Sequence, residues 1–158
     1  GGPLKLFGSA CGKALRFTAQ LTGHNGATVT RTVTATVPGC PATAAAALSK
    51  GERPRLRVKL DHGRSAKPLS RAVVTLPKGL TARKGAGRAV LTADGKRLRA
   101  GAVKLARHRL TLTLPTAQHA TLTLGRGILR GRPRGRFAVR LVRTDGKTFT
   151  ARPRTKKL

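Results

Sequence analysis

Apolar and polar residues alternate along most of this 158-residue chain, and the alternation limits what the chain can fold into. Within residues 14–22 every second residue is apolar, and residues 28–37 follow the same pattern with threonine at most polar positions. Successive side chains of a β-strand point to opposite faces of a sheet, whereas a helix repeats its apolar face every three or four residues. The pattern therefore predicts half-buried strands with one apolar face each.

Residues 55–158 repeat this alternation in short segments. About nine such segments fall within about 100 residues, separated by turn-forming residues, and this density is typical of a β-sandwich or a β-barrel. Positions expected to face the core of this sandwich or barrel include Leu56, Val58, Leu60, Val74, Leu91, Leu110, Leu112, Leu122, Leu124, Phe137, Val139 and Leu141.

Turn residues set the pairing of neighbouring strands. A three-residue loop at 24–26, with Gly26 in the left-handed conformation, places Phe17 opposite Val33 and keeps the apolar side chains on one face. A two-residue Asn-Gly loop would mix the two faces, so the three-residue loop is favoured. Further turns are predicted on the same grounds at 94–95, 107–108 and 144–146.

Two cysteines, Cys11 and Cys40, flank the first predicted hairpin. The hairpin register brings them to its open end, one position from direct opposition, so a disulfide needs little backbone adjustment. Such a bond closes a loop of about 30 residues and contributes roughly 3 to 4 kcal/mol to stability. It also indicates an oxidising, extracytoplasmic compartment. Two buried free thiols in a cytosolic protein are the alternative.

The stretch 41–54 lacks alternation, and we expect it to be a linker with at most one helical turn. Residues 1–40 then form a partial β unit of at most three strands, one of them at 4–7, and residues 55–158 form a separate β domain. So small a unit leaves an apolar face and strand edges uncovered. We expect it to pack on the second unit or to exchange strands between copies, which would build a homo-oligomer or fibre.

Several motifs resemble β-rich repeat domains of large secreted and surface proteins from high-GC Gram-positive bacteria. They are the hairpin that runs from Cys-Gly-Lys-Ala-Leu-Arg-Phe to Val-Pro-Gly-Cys, the segment 73–80, and the turns at 93–96 and 144–147. The resemblance implies an all-β fold, with an immunoglobulin-like antiparallel β-sandwich preceded by the smaller, incomplete β unit. It also implies an extracellular or cell-surface module without catalytic activity.

The charge is strongly positive, with 34 Lys and Arg residues against four Asp and Glu and a formal net charge of +30. Residues 51–158 hold 29 basic and four acidic residues, so they contribute 29 − 4 = +25 of this total. A field of this strength attracts anionic polymers and opposes compaction. We expect acidic polysaccharide or extracellular DNA as the partner.

Acidic residues are too few and too scattered for most catalytic sites. Acid–base pairs, metal cages and catalytic triads all need carboxylates close together. The four histidines fall in predicted turns and lack the spacing of a zinc site. No apolar run is long enough for a transmembrane helix. The sequence therefore predicts no enzyme, no cofactor, no metal site and no transmembrane segment.

Basic residues follow two patterns. The segment 125–136 is rich in arginine and glycine, and its core at 130–133, Arg-Gly-Arg-Pro, resembles an AT-hook, which lies extended in the DNA minor groove. A basic loop before a strand at Phe137 is the alternative reading of that segment. Elsewhere, basic residues occupy outward strand positions. The residues expected to contact an anionic polymer are Arg55, Arg57, Lys59, Arg107, Arg109, Arg126, Arg130, Arg132, Arg134 and Arg136.

The first interpretation is an extracellular structural or adhesive protein whose basic surface binds anionic polymers. Its partial β unit would build a fibre or surface layer by strand complementation. The alternative is a DNA-binding protein that uses the AT-hook-like loop at residues 130–136.

Overall fold

The computed structural model describes residues 14–35, 40–63, 66–83 and 88–158, and its regular structure is almost entirely β-strand. Across these ranges the sole helical segment is a 3₁₀ turn at Ala100–Ala102, and no helix is long and apolar enough to cross a membrane. The strands are β1 Leu15–Thr22, β2 Thr28–Ala35, β3 Thr43–Leu48, β4 Leu56–Asp61, β5 Leu69–Thr75, β6 Lys78–Ala82, β7 Ala89–Ala93, β8 Lys96–Arg97, β9 Val103–Ala106, β10 Arg109–Ala117, β11 His119–Leu124, β12 Leu129–Arg134, β13 Ala138–Arg143, β14 Thr148–Ala151 and β15 Thr155–Lys157.

Strands β1 and β2 form an antiparallel hairpin in the predicted register. Phe17 lies opposite Val33, and Gly26 in the turn has a left-handed φ of 76°. The predicted three-residue loop is confirmed. Cys40 is buried. Cys11 and the predicted strand at 4–7 lie outside the described residues, so the disulfide between Cys11 and Cys40 stays a prediction.

Residues Pro41–His62 and Lys67–Leu158 form a separate compact unit, a sandwich of two sheets. The first sheet has the strand order β14-β13-β5-β10-β9, and the second sheet has the order β15-β3-β4-β11-β7-β8. Neighbouring strands are antiparallel except β15 and β3, which are parallel. Strands β3-β4-β11-β7 and β14-β13-β5 follow the A-B-E-D and G-F-C orders of immunoglobulin domains. The predicted immunoglobulin-like antiparallel sandwich is confirmed.

Alternation builds the core of the sandwich. On β4, Leu56 and Val58 are fully buried, and the residue that follows each of them, Arg57 and Lys59, is exposed. The predicted inward positions of β4, β5, β7, β10, β11 and β13 are all buried in one apolar cluster. Each fully buried leucine or valine contributes roughly 1.5–3 kcal/mol relative to an exposed one. Outward positions remain available for charged residues.

The chain passes from the first sheet to the second at Gln118, between β10 and β11. The pairing of β10 with β5 shifts register between Thr113 and Ala117, and Thr116 has a left-handed φ of 51°. Bulges of this kind bend a strand and let it change sheets. The corner places His119, the first residue of β11, opposite Asp61 at the end of β4.

The predicted linker at 41–54 is wrong over its first half. Residues Thr43–Leu48 form β3, which pairs with β4 and buries Ala46 and Leu48. Alanine favours helices in isolation, but pairing with β4 overrides that weak preference. Alternation is hard to see there because the buried and the exposed positions of β3 both carry alanine.

Two glycines allow β6 and β12 to approach closely as a two-stranded ribbon. Gly79 and Gly131 both have a left-handed φ, of 79° and 100°. A Cβ atom on Gly131 would overlap the Gly79 carbonyl oxygen, and one on Gly79 would overlap the Arg132 carbonyl oxygen. Only glycine fits this backbone contact.

We expect Gly131→Ala to lower the free energy of unfolding by at least about 2 kcal/mol, because it combines backbone strain with overlap. Chemical denaturation measures the difference. Gly101→Ala is the matched control, since a Cβ there meets nothing within 4 Å. The control should stay within about 0.5 kcal/mol of the wild type. Equal effects of the two substitutions would contradict the proposed contact.

Candidate functional site

Basic residues cover the outer face of the first sheet. Core residues occupy the inward positions of its strands, so alternation directs Arg71, Lys104, Arg109 and Arg140 outward, and all four are exposed. None of the five strands of this sheet contains an acidic residue. The strands of this face therefore carry basic side chains and no acidic ones.

Three of these arginines surround Val73 at the centre of the face. Arg140 on β13 is directly opposite Val73, Arg71 lies two residues earlier on β5, and Arg109 on β10 pairs with Thr75. Together they line a shallow groove of about 330 Å³. We call this the arginine groove and define it by Arg71, Arg109 and Arg140.

The arginine groove offers unused hydrogen-bond donors. Within the described part of the chain, Arg71, Arg109 and Arg140 form no hydrogen bond and no ion pair with other side chains. Each guanidinium is a planar fork that fits a carboxylate, sulfate or phosphate group through two parallel hydrogen bonds. The groove can therefore bind several anionic groups of one polymer.

The outer face of the second sheet carries another group of basic residues. Arg57 and Lys59 on β4 and Lys156 on β15 line a shallow depression of about 320 Å³. Arg55 is exposed immediately before β4. Asp61 lies farther along the same face of β4, so this face is less uniformly positive. The structure thus separates Arg55, Arg57 and Lys59 from Arg109, which lies on the opposite side of the sandwich.

The predicted basic loop at 130–136 is wrong, because residues Leu129–Arg134 form strand β12. Gly131 pairs with Leu80 of β6, and its amide hydrogen is donated to the Glu52 carbonyl oxygen at 3.1 Å. An AT-hook needs this glycine free to approach the floor of the minor groove, and here Gly79 covers it. The geometry of β12 therefore contradicts the AT-hook interpretation.

The other predicted arginines lie at separate places on the surface. Arg130, Arg132 and Arg134 are exposed on β12, and Arg126 and Arg136 are exposed before and after this strand. Arg107 is exposed in the turn between β9 and β10, where the predicted tight reversal is confirmed. Of the ten predicted residues, only Arg109 belongs to the arginine groove.

Arg143 is a charged residue at an inward position of β13, two residues after the buried Leu141. The pairing with β5 shifts register between Val142 and Arg143, and the Arg143 side chain is only 3% exposed. Its Nη2 donates to the His62 carbonyl oxygen at 2.7 Å, and its guanidinium lies 4.2 Å from the Phe149 ring centre. Burial is tolerated because the charge is hydrogen-bonded and stacked on an aromatic ring.

Two of the four acidic residues and two of the four histidines meet at the corner between β10 and β11. Asp94 accepts the amide hydrogens of Gln118 and His119 at 3.1 and 2.7 Å. Asp61 Oδ2 lies 3.0 Å from His119 Nδ1, and His62 Nδ1 donates to the Gln118 carbonyl oxygen at 3.0 Å. We call this group the acidic corner.

The sequence does not reveal the acidic corner. His119 was expected in a turn but begins strand β11, and it meets Asp61 only through the pairing of β11 with β4. The one available indication was the Asp61-His62 pair at the end of a predicted strand. A correct prediction of which strands pair would have been needed to add His119.

The backbone amide of His119 holds the pKa of Asp94 below its usual value of 3.8. Burial opposes this change in pKa, while the Gln118 amide and the nearby His119 and His62 side chains reinforce it. Hydrogen bonds donated to a carboxylate favour its ionised form. Ionised Asp94 therefore stabilises the corner.

No protein-family model matches the sequence, and no curated protein matches it. Among solved structures, the major pilin subunit BcpA of Bacillus cereus is similar with 13% identity and a TM-score of 0.45, over 87% of this chain and 48% of the pilin. BslA, a bacterial hydrophobin, is similar with 17% identity and a TM-score of 0.41, over 73% of this chain and 99% of BslA. The collagen-binding domain of the Erysipelothrix rhusiopathiae surface protein RspB is similar with 12% identity and a TM-score of 0.43, over 91% of this chain and 60% of that domain. The chain thus spans about half the length of the pilin subunit.

We expect Asp94→Asn to lower the free energy of unfolding at neutral pH, because it removes the charge that the Gln118 and His119 amides stabilise. Asparagine tolerates the left-handed φ of 47° at this position, so the turn is retained. The folded-state pKa is lowered, so the stabilisation is present above the unfolded-state pKa and is lost as the pH falls through the folded-state value. The difference between variant and wild type should therefore disappear in strong acid.

Denaturation curves recorded from neutral to strongly acidic pH measure this difference. Glu52→Gln serves as the control, since Glu52 is an exposed carboxylate outside the corner. A constant difference between Asp94→Asn and the wild type at every pH would contradict the role of the ionised carboxylate.

Proposed function

We propose that this protein is an extracellular structural or adhesive β-sandwich module that binds acidic polysaccharide through the arginine groove. The observation that carries the proposal is the groove itself. Arg71, Arg109 and Arg140 point outward from three adjacent strands of a sheet that has no acidic residue. These guanidinium groups have no side-chain partner among the described residues, and they fit the carboxylates or sulfates that repeat along such a polymer.

The shape of the face favours a polysaccharide over base-specific DNA binding. Proteins that read DNA sequence insert a helix or a β-ribbon into a groove of the duplex. The arginine groove is a shallow depression on a sheet, and its centre is the side chain of Val73. A flexible anionic chain can lie along it, while a duplex would make contacts through its backbone alone.

The extracellular location rests on two features of the sequence. One is the predicted disulfide between Cys11 and Cys40, which requires an oxidising compartment. The other is the resemblance to repeat domains in secreted and surface proteins of high-GC Gram-positive bacteria. Both favour a module exposed to acidic polymers outside the cell.

We expect the triple substitution Arg71→Gln, Arg109→Gln and Arg140→Gln to weaken binding of a sulfated glycan such as heparin at least about tenfold, which is about 1.4 kcal/mol. The slope of log affinity against log salt concentration should decrease in magnitude by roughly two to three. Each arginine contact that is removed lowers the number of counterions released on binding by nearly one. Calorimetric titration at several salt concentrations gives both quantities.

The matched control removes the same charge from the other sheet, by Arg57→Gln, Lys59→Gln and Lys156→Gln. The control should retain most of the affinity, because its substitutions leave the groove intact. Equal losses in the two variants would mean that net charge alone drives binding, without a local site. Tighter binding of duplex DNA than of the glycan, with the same dependence on the groove, would identify nucleic acid as the ligand.

Self-assembly is a second candidate function, and the exposed face of the β1–β2 hairpin favours it. Phe17, Leu21, Val29 and Val33 share one face of the hairpin and are 44–63% exposed. An isolated hairpin is marginally stable, and contiguous exposed apolar side chains commonly mark a contact surface. We infer that a different surface of another copy covers this apolar stripe, because such a heterologous contact would join subunits head to tail.

We expect the wild type to form larger species as its concentration rises, and Leu21→Thr with Val29→Thr to stay monomeric. Threonine keeps the β preference at this directly opposed pair but removes apolar surface. Light scattering and sedimentation at moderate salt measure the mass. The control pair, Gln20→Ser with Thr30→Ser, lies on the other face of the same hairpin and should assemble normally. A wild type that is monomeric at every concentration would contradict assembly.

A further inference from the structure

The acidic corner brings together three side chains that commonly bind metal ions. Asp61, His62 and His119 each offer one ligand atom, and these three atoms lie within 4.8 Å of one another. Asp61 Oδ2 and His119 Nδ1 are already 3.0 Å apart. Two ligands that each lie about 2.0–2.1 Å from a tetrahedral Zn²⁺ stand about 3.3 Å apart. Small side-chain rotations would therefore place all three around one ion.

The hydrogen bond of His62 determines which of its ring nitrogens can bind a metal. Its Nδ1 faces the Gln118 carbonyl oxygen at 3.0 Å, and a carbonyl can only accept. Nδ1 must therefore carry the proton, and the lone pair of the neutral ring lies on Nε2. Histidines that bind metals commonly donate their other ring N–H to a backbone carbonyl in this way.

Backbone contacts hold the corner in place before any ion binds. The Gln118 carbonyl also accepts the amide hydrogen of His62 at 3.0 Å, and Asp94 accepts the amide hydrogen of His119 at 2.7 Å. The first bond ties the end of β4 to the residue before β11, and the second ties the turn between β7 and β8 to β11. A ligand set fixed in this way loses little freedom when it binds an ion.

The corner is accessible, and its local charge differs from that of the rest of the chain. The side chains of Asp61 and His119 are 45% and 64% exposed, so solvent can complete the coordination shell. In a chain of net charge +30, Asp61 and Asp94 concentrate two of the four acidic residues at this corner. Local attraction for a cation therefore opposes the repulsion from distant basic residues.

We propose that Asp61, His62 and His119 form a binding site for a divalent transition-metal ion of the Zn²⁺ class. Two imidazoles and one carboxylate suit such ions better than Ca²⁺ or Mg²⁺, which prefer oxygen ligands alone. The bound ion links the end of β4, through Asp61 and His62, to the start of β11, through His119. This site is independent of the arginine groove, which lies on the outer face of the other sheet.

The test is a calorimetric titration of the full chain, without a polyhistidine tag, with Zn²⁺. We expect one ion per chain and a higher unfolding temperature in its presence, because a ligand that binds the folded state stabilises it. Substitution of Co²⁺ should give the visible absorption of a low-symmetry site with nitrogen and oxygen ligands. Asp61→Asn and His119→Ala should each lower the affinity at least about tenfold.

Two further variants distinguish this site from nonspecific binding of Zn²⁺ to exposed histidines. His24→Ala and His108→Ala remove exposed histidines elsewhere in the chain and should bind Zn²⁺ like the wild type. Asp61→Asn and His119→Ala leave the hydrogen bond between His62 and Gln118 in place, and their unfolding temperatures without metal verify that they are folded. Absence of Zn²⁺ binding by the wild type would overturn the proposal. Equal affinity in the wild type and in folded Asp61→Asn and His119→Ala would overturn it too.

Discussion

The sandwich is stable because nearly every strand of its two sheets buries one apolar face. Leucine and valine side chains from both sheets share one apolar cluster, with Phe137 as its largest fully buried member. This burial must exceed the mutual repulsion of a chain with net charge +30. The repulsion between the basic groups is weak because they are solvated. In water, two unit charges 4 Å apart interact by only about 1 kcal/mol. Stability thus depends on strict separation of apolar and charged positions.

The same separation produces the proposed binding surface. Once alternate residues of β5, β10 and β13 are buried, Arg71, Arg109 and Arg140 have no place except the outer face, and the antiparallel pairing puts them around Val73. Arg143 marks the limit of this rule. It occupies an inward position of β13, where a carbonyl oxygen and an aromatic ring satisfy its charge. A basic residue is therefore available to a partner only where it occupies an outward position of its strand.

Local registers could be predicted because a tight turn joins the two strands in each case. The pairs Phe17 with Val33 and Leu141 with Phe149 follow from the loop length and from the need to keep apolar side chains on one face. Strand β3 could not be predicted in this way, because alanine at both its inward and outward positions hides the alternation. Strand β12 was missed because its arginines and glycines resemble a loop, and its partner β6 is distant in sequence.

By itself the sequence determined that the fold is all β, which residues of β4, β5, β7, β10, β11 and β13 face the core, and that the surface is cationic. These properties follow from side-chain period and composition, which are local. Tertiary structure alone decided which strands become neighbours, and so which polar side chains meet. The arginine groove needs β5 between β10 and β13, and the acidic corner needs β11 beside β4. Such long-range pairings depend on how whole sheets pack, because the energy of packing belongs to the assembled core and not to any single segment.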